Sequence, residues 1–337
     1  MPLSLSRGRV TAVTERLGDL VRLEVDGAPC VAYPRTTGEV EVGDDVVVNV
    51  QARELGLGSG GFDILYANLT RGLGLLADDG AHVMSLPYGP GQRAVRHLEE
   101  EDVLADDLRG LPVVCCTVHS QVVPVCAALR GLRVAYVQLA GGALPVALSD
   151  ALRALRAASL VETTVAVAPC FDGDHQAVTA ASALAWGAAA GFDVVVCSVG
   201  PGIVGTGSRL GHGALALADA ANAATALGGR PILAVRMSER DERDRHRGVS
   251  HHARIVLDLC LVPPTVAWPA GVDPGSWRGA REEVDASGWR AACRGLPLSF
   301  MGRGPDDDPS FFAASHAAGI VAARAAAARG SASNRTA

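Results

Sequence analysis

The sequence predicts an α/β protein: a small antiparallel β-barrel or sandwich followed by a Rossmann-like domain with a mostly parallel sheet. Three features predict it. Period-two apolar runs split by Gly and Asp turns fill residues 1–70. From residue 111 onward, valine-rich runs alternate with stretches of helical spacing, the pattern of a parallel sheet covered on both faces. Aromatic residues make up only 4% of the chain, whereas 39 of its 337 residues are glycine, so the core has to be close-packed from small side chains.

Within residues 1–70, RGRVTAV, DLVRLEVD and APCVAYP are short alternating strands, and GEVEVGDDVVVNV breaks at Gly43-Asp44. Small barrels bind oligonucleotides through a basic, aromatic-lined face. This segment instead holds ten acids against six arginines, with only Tyr33, Phe62 and Tyr66 as aromatics. A structural or docking role is the better expectation. The run GLGSGGFD (56–63) reads as a hairpin loop or, alternatively, as a backbone nest for an anion. Residues 71–110 read as a connector with one strand, AHVMSLPY, and an acidic stretch, LEEEDVLADD.

Residues 111–328 form the α/β domain. LPVVCCTV, RVAYVQL, TTVAVAP, DVVVCSVG and PILAVRM are its strands and VPPTVAWP a sixth, with good helix formers between them. DPSFFAASHAAGIVAARAAAA closes the domain as a helix, and 329–337 reads as a disordered tail.

Composition removes several chemistries. All 30 basic residues are arginine, so no lysine can form a Schiff base, act as a general base or serve a phosphate loop. A net charge of −6 argues against a nucleic-acid scaffold. Eight cysteines without a CxxC pair predict buried free thiols in a reducing compartment. MPLSLSRGRV lacks the apolar core of a signal peptide, and no stretch reads as long and apolar enough to span a bilayer. The expected location is the cytoplasm, away from membranes, with a homo-oligomer left open.

In open parallel sheets, ligands bind beyond the carboxyl ends of the strands. The five predicted strands deliver there, in order, His119-Ser120-Gln121, then Gln138 with Gly141-Gly142, CFDGDH with Asp172, Asp174 and His175, GPGIVGTGSRLGHG, and MSERDERDRHRGVSHH. The turns before the strands are plain (RG, AAG, LGG). That asymmetry predicts a site on one rim. Gly200-Pro-Gly202-Ile-Val-Gly205 is formally GxGxxG, but it follows the fourth strand, and Asp219, the acid at the right distance, falls within a helix. What remains is a glycine-rich loop with Thr206, Ser208 and Arg209 near a helix start, which suits a phosphate or carboxylate as well as a plain long turn.

RHRGVSHH (245–252) holds three of the nine histidines. Adjacent side chains on a helix diverge by about 100°, so His251 and His252 argue against a metal. His246 and His251 can still approach across Gly248, with Asp172, Asp174 or His175 completing a set. Ser250 is placed to cap the helix HHARIVLDL. Charges in 239–247 nearly cancel, which reads as a self-paired solvated loop or as a lid whose arginines close over an anion. Ser120 and Cys170 lack the setting of a nucleophile.

With ELGLGSGGFDILYANLT, TVHSQVVPVCAALRG, GGALPVALSDALRAL, SVGPGIVGTGSRLGHG and RDRHRGVSHHARIVL in order along the chain, it resembles the uncharacterised bacterial family DUF3866. The resemblance implies that these loops form one unit and assigns no reaction. The expected function is binding of a small anionic ligand at the carboxyl rim of the sheet, phosphate- or carboxylate-bearing with a nucleotide-like one as an option; whether an enzyme turns it over stays open. Gly141, Gly142, Gly202, Gly205, Thr206, Gly207, Ser208, Arg209, Arg245 and Arg247 are the anion-binding candidates. His119, Asp174, His246 and His251 are the candidates for proton transfer or a metal. The cofactor and any metal stay open. The alternative is a non-catalytic ligand sensor or assembly protein whose barrel docks a protein partner.

Overall fold

The computed structural model describes residues 3–57, 60–75, 79–101, 103–273, 277 and 280–336. By its internal contacts the chain separates into two compact units, Met1–Ala81 and His82–Ala337.

The first unit is a five-stranded closed barrel of β1 (Leu5–Arg16), β2 (Val21–Val25), β3 (Ala28–Ala32), β4 (Asp45–Asn49) and β5 (Asp63–Asn68), in the order β1-β2-β3-β5-β4. The short helices α1 (Pro34–Thr37) and α2 (Gln51–Glu54) lie between strands. Alternate residues fill the centre: Val21, Leu23 and Val25 from β2, with Val46 and Val48 from β4. The sheet is not wholly antiparallel. β3 and β5 pair in parallel, which closure allows because α1, β4 and α2 supply the long return connection. Gly58 and Ser59 of the glycine-rich run lie outside the described residues.

In the second unit, the hairpin β6 (Val83–Ser85) and β7 (Arg93–Val95) and the short helix α3 (Leu98–Glu101) precede the main sheet. Its chain order is β8 (Pro112–Cys116), α4 (Val122–Ala127), β9 (Val134–Leu139), α5 (Asp150–Ala157), β10 (Thr163–Val167), β11 (His175–Ala177), α6 (Ala180–Ala189), β12 (Val194–Val199), α7 (Ala216–Ala226) and β13 (Arg230–Ala234). A two-stranded excursion, β14 (Met237–Ser238) and β15 (Gly248–Val249), leads to α8 (His251–Leu259) and β16 (Thr265–Pro269). β17 (Glu282–Val284), α9 (Trp289–Ala292) and α10 (Pro309–Thr336) complete the unit.

Eight strands run in the order β11-β10-β9-β12-β8-β13-β16-β17, and every pairing between them is parallel. Strand residues alternate between two apolar layers. Val113, Cys115, Val195 and Cys197 face α6, α7 and α8, while Val114, Cys116, Val194 and Val196 face α4, α5 and α10. β8 sends its connection toward β9, and the neighbouring β13 sends its own toward β16. Adjacent strands whose loops part in this way open a crevice at their carboxyl ends.

Three sequence expectations change. α10 runs to Thr336, where 329–337 was expected to be a frayed tail; Ala337 lies outside the described residues. α10 also has the length and apolar composition to cross a membrane, contrary to the reading that no stretch does. Phe311, Phe312, Ala317 and Val321 on it are fully buried, so its apolar residues serve the core of this unit. Thirdly, β11 lies in the segment expected to be the third rim loop.

The eight cysteines are free thiols, all buried except the partly exposed Cys260. Burial pushes Cys170 up to about 12, so it carries no thiolate at neutral pH.

Candidate functional site

The polar groups of the rim gather in several sets, and one is a cluster of four histidines. His212 comes from the loop between β12 and α7, His246 from a 3-10 turn between β14 and β15, and His251 and His252 from the first turn of α8. The His212 and His252 rings stack with centroids 3.9 Å apart, and His212 and His251 are 5.3 Å apart, edge to face. His246 lies 4.8 Å from His251 and 4.9 Å from His252.

Local sequence explains the placement. Ser250 caps α8 by accepting the His252 N–H at 3.2 Å, and its hydroxyl lies 2.7 Å from His246 Nδ1. Although adjacent on a helix, His251 and His252 do not diverge as the sequence suggested: their ring centroids are only 4.5 Å apart. Their Cβ atoms leave the helix in different directions, but at its first turn both imidazoles can swing into the same space. The partner that completes the group is His212 from the β12 loop, not Asp172, Asp174 or His175.

Burial lowers the pKa of all four imidazoles. Burial and the Arg236 and Arg243 charges bring His246 down to about 3. His252 falls to about 2, through burial, His212 and Arg236. His212 and His251 are lowered as well, His251 by burial first and then by His212, Arg245, Arg236 and Arg243. The rings are therefore uncharged at neutral pH. Some of their nitrogens also lack partners. Among the described residues neither His212 nitrogen nor His251 Nε2 makes a hydrogen bond, although the Arg209 carbonyl is close enough to His212 to raise its proton affinity a little against burial.

Beside the imidazoles lies an ion network that sequence reading missed. Arg236, just beyond β13, is only 2% exposed. It donates to His252 Nδ1 at 3.2 Å and to Asp241 Oδ2 at 3.3 Å. Asp241 also accepts from Arg243 Nε at 2.9 Å. Arg303 is 3.6 Å from Asp241 and 3.2 Å from Asp308, which in turn accepts from Ser238 Oγ at 2.5 Å. The Arg236 and Arg303 guanidiniums both lie near the Phe300 ring, 5.1 and 4.9 Å from its centroid. Burial lowers Arg236 to about 10, against the pull of Asp241, and it stays protonated. Burial raises the Asp241 carboxyl, but the bonds from Arg243 outweigh this and hold it well below the usual range. In the sequence Arg236 read as part of the strand PILAVRM, Arg303 lay in a segment with no pattern, and Asp308 headed the C-terminal helix. The only available signal was the excess of charged residues in MSERDERDR and GRGPDDD.

The other predicted residues sit elsewhere or are engaged. His119 Nδ1 donates to the Val199 carbonyl at 3.2 Å, and His119 Nε2 lies 2.6 Å from Ser149 Oγ. Burial lowers His119 to about 4. A neutral ring that donates at Nδ1 accepts at Nε2, so Ser149, which caps α5, gives its proton to His119. The pair ties the start of α5 to the end of β12. Thr206 and Ser208 hydroxyls bond each other at 3.1 Å, and Thr206 Oγ1 also lies 3.1 Å from the Gly211 carbonyl. Arg209 pairs with Asp258 of α8 at 3.0 Å. Arg247 pairs with Asp244 at 3.3 Å, and Arg245 is exposed.

The glycines of two rim loops are fixed by backbone contact. A Cβ on Gly213 would come 2.0 Å from the Gly141 carbonyl oxygen, and one on Gly142 would come 2.2 Å from the Gly200 oxygen. Gly141 also has φ +136, a region only glycine enters freely. The Val204 N–H donates to the Gly141 carbonyl and the Ala143 N–H to the Pro201 carbonyl. The β9 and β12 loops are thus laced together, and His212 stands beside the crossing. Gly202, Gly205 and Gly207 lie on the exposed part of the β12 loop.

Asp174 is bonded at the other end of the sheet. Between β10 and β11 the chain returns to the amino end of β10, where Asp174 accepts from the Thr164 N–H at 2.9 Å and from Arg156 at 2.7 Å. Half-burial raises its carboxyl, but Arg156 and Thr164 outweigh this and hold it below the usual range. A depressed folded-state pKa adds stability above the unfolded value of about 3.9, and that stability is lost as pH falls through the folded value. The stability gap between wild type and Asp174→Asn should be full at neutral pH and shrink in urea melts taken below about pH 4. A pH-independent gap would mean that the carboxylate is not held by its charge.

Four imidazoles of low proton affinity against a buried guanidinium network can bind a metal or an anion, or relay protons. No curated protein matches the chain. Residues 29–319, nearly the whole chain, match the family described as a protein of unknown function, DUF3866, and the chain belongs to that family.

Proposed function

We propose that this protein binds a small phosphate- or carboxylate-bearing ligand at the carboxyl-end crevice of its parallel sheet and acts on it as an enzyme, with the histidine cluster as the reactive centre. The observation that carries this reading is the charge imbalance around Arg236. Three guanidiniums, Arg236, Arg243 and Arg303, meet only two carboxylates, Asp241 and Asp308. The imidazoles beside them add no charge, so among the described residues one positive charge is left over in a partly buried site, where it attracts an anion more strongly than it would at the open surface. Arg245 adds an exposed guanidinium close enough to His251 to lower its proton affinity. Catalysis needs groups that change state near neutral pH or bind an electrophile, and the imidazoles are the groups at this rim suited to the second task.

A thermal-shift screen at low ionic strength with inorganic phosphate, citrate and nucleoside monophosphates tests the reading. A true ligand at 100 times its Kd should add about 2.7 kcal/mol, a rise of roughly 5–10 °C for a domain of this size. Arg245→Glu, at an exposed position, should cut the shift while leaving the unliganded melt unchanged. No shift with any anion would sink the proposal. Binding without turnover of any of these compounds would make the protein a sensor.

A further inference from the structure

We infer that His212, His251 and His252 form a site for one transition-metal ion of the zinc or cobalt type, with a coordination position left open toward the crevice. This deepens the proposed function, since it names the reactive group of that same site, but it stands on separate observations. One potential ligand nitrogen from each of the three rings lies within 4.8 Å of the others. Imidazole nitrogens around a tetrahedral ion at about 2.0–2.1 Å sit closer together than that, so small side-chain rotations at the first turn of α8 close the set. His212 is only 6% exposed, yet neither of its nitrogens has a hydrogen-bond partner, and His251 Nε2 has none either. A buried polar atom without a partner costs about 1–3 kcal/mol. A single cation would relieve one nitrogen of His212, whose other nitrogen points away across the ring and carries its proton, together with one nitrogen of His251.

Ligand chemistry narrows the ion. The set is all nitrogen, which suits Zn²⁺, Co²⁺, Ni²⁺ or Cu²⁺ and not the oxygen-seeking Mg²⁺ or Ca²⁺. Three imidazoles with a vacant position are the arrangement of catalytic and not of structural zinc sites. His252 is the conditional member. Its Nδ1 accepts from Arg236 at 3.2 Å, so it ligates only by giving up that bond or the proton on its other nitrogen. His212 and His251 are therefore the primary pair. His246 borders the set, with its Nδ1 held 2.7 Å from Ser250 Oγ, the kind of outer contact that orients a ligand ring.

The full chain, purified without a histidine tag and stripped with EDTA, should bind one equivalent of Zn²⁺ in calorimetry. It should also give the visible absorption of nitrogen-ligated Co²⁺. His212→Gln and His251→Gln should each weaken binding by at least about tenfold, the size of losses caused by outer-shell changes alone. His82→Gln, exposed and outside the cluster, should bind as wild type does. Circular dichroism identifies variants that fail to fold, in which case the wild-type cobalt spectrum decides. A folded wild type that shows only aquo-Co²⁺ absorption and no zinc heat overturns the inference, as does unchanged affinity in both folded variants. Repeating the anion screen on the stripped protein separates the two ideas. An anion shift in a chain that takes up no metal refutes the metal site alone, whereas metal binding without any anion shift refutes the anion reading alone.

Discussion

Asp241→Ala should destabilise the protein by about 3–5 kcal/mol, the range for removing one partner of a buried ion pair. Asp241 is 2% exposed, as is Arg236. Its two oxygens receive Arg243 through the backbone N–H, Nε and NH2, and receive Arg236 through its NH2. Without it, the Arg236 guanidinium keeps its charge in the interior with only an imidazole and an aromatic face as neighbours. Asp241 is the group that holds the Arg236 charge up against burial, so its removal leaves that charge less favoured still. Asp241→Asn keeps the shape and one accepting oxygen, though its amide nitrogen faces a guanidinium donor, and should cost less than alanine does. Urea denaturation should show a lower midpoint with an unchanged slope. A loss under about 1 kcal/mol would mean that the network is open to water and that the excess charge at the crevice is screened.

Gly213→Ala should cost about 3 kcal/mol, at the upper end of overpacking penalties. The new methyl has no direction of escape, since its nearest atoms are the Gly141 oxygen, Cα and carbonyl carbon at 2.0, 2.4 and 2.5 Å. Backbone does not yield as a side-chain tip does. Gly207→Ala in the same loop meets nothing within 4 Å and should stay within about 0.5 kcal/mol of wild type. The pair separates glycines needed for packing from glycines that merely fill a loop. If Gly207→Ala were the more damaging of the two, the lacing of the loops would not be what holds His212.

Much of the architecture was legible because periodicity reports burial. The Val21-Leu23-Val25 alternation announced a barrel strand, and DVVVCSVG announced a strand covered on both faces. The site was less legible. Each strand's terminal loop could be read as polar, but not which loops turn inward. His212 looked like the end of a glycine loop, and only the crossing at Gly141 and Gly213 aims it at α8. Asp174 followed a strand, as rim residues do, yet Thr163 and Thr164 draw it back to the amino end of β10. Arg236 was masked by the apolar run before it. Tertiary contacts decide such placements, and they leave no local period in the sequence.

The position of α10 bears on how the chain matures during synthesis. This last helix packs on β8, the first strand of the large sheet, and on α4, β13 and β16. Gly319 admits it so closely to α4 that a Cβ there would lie 2.3 Å from the Val125 oxygen. Every strand of the barrel lies before residue 70, so that unit can fold while the ribosome is still elongating. The large sheet cannot follow in step. One face of β8 stays bare until about two hundred more residues have emerged, at translation rates of roughly 5–20 residues per second. Throughout that interval the apolar surface of β8, α4 and β13 is exposed to chaperones and to other nascent chains.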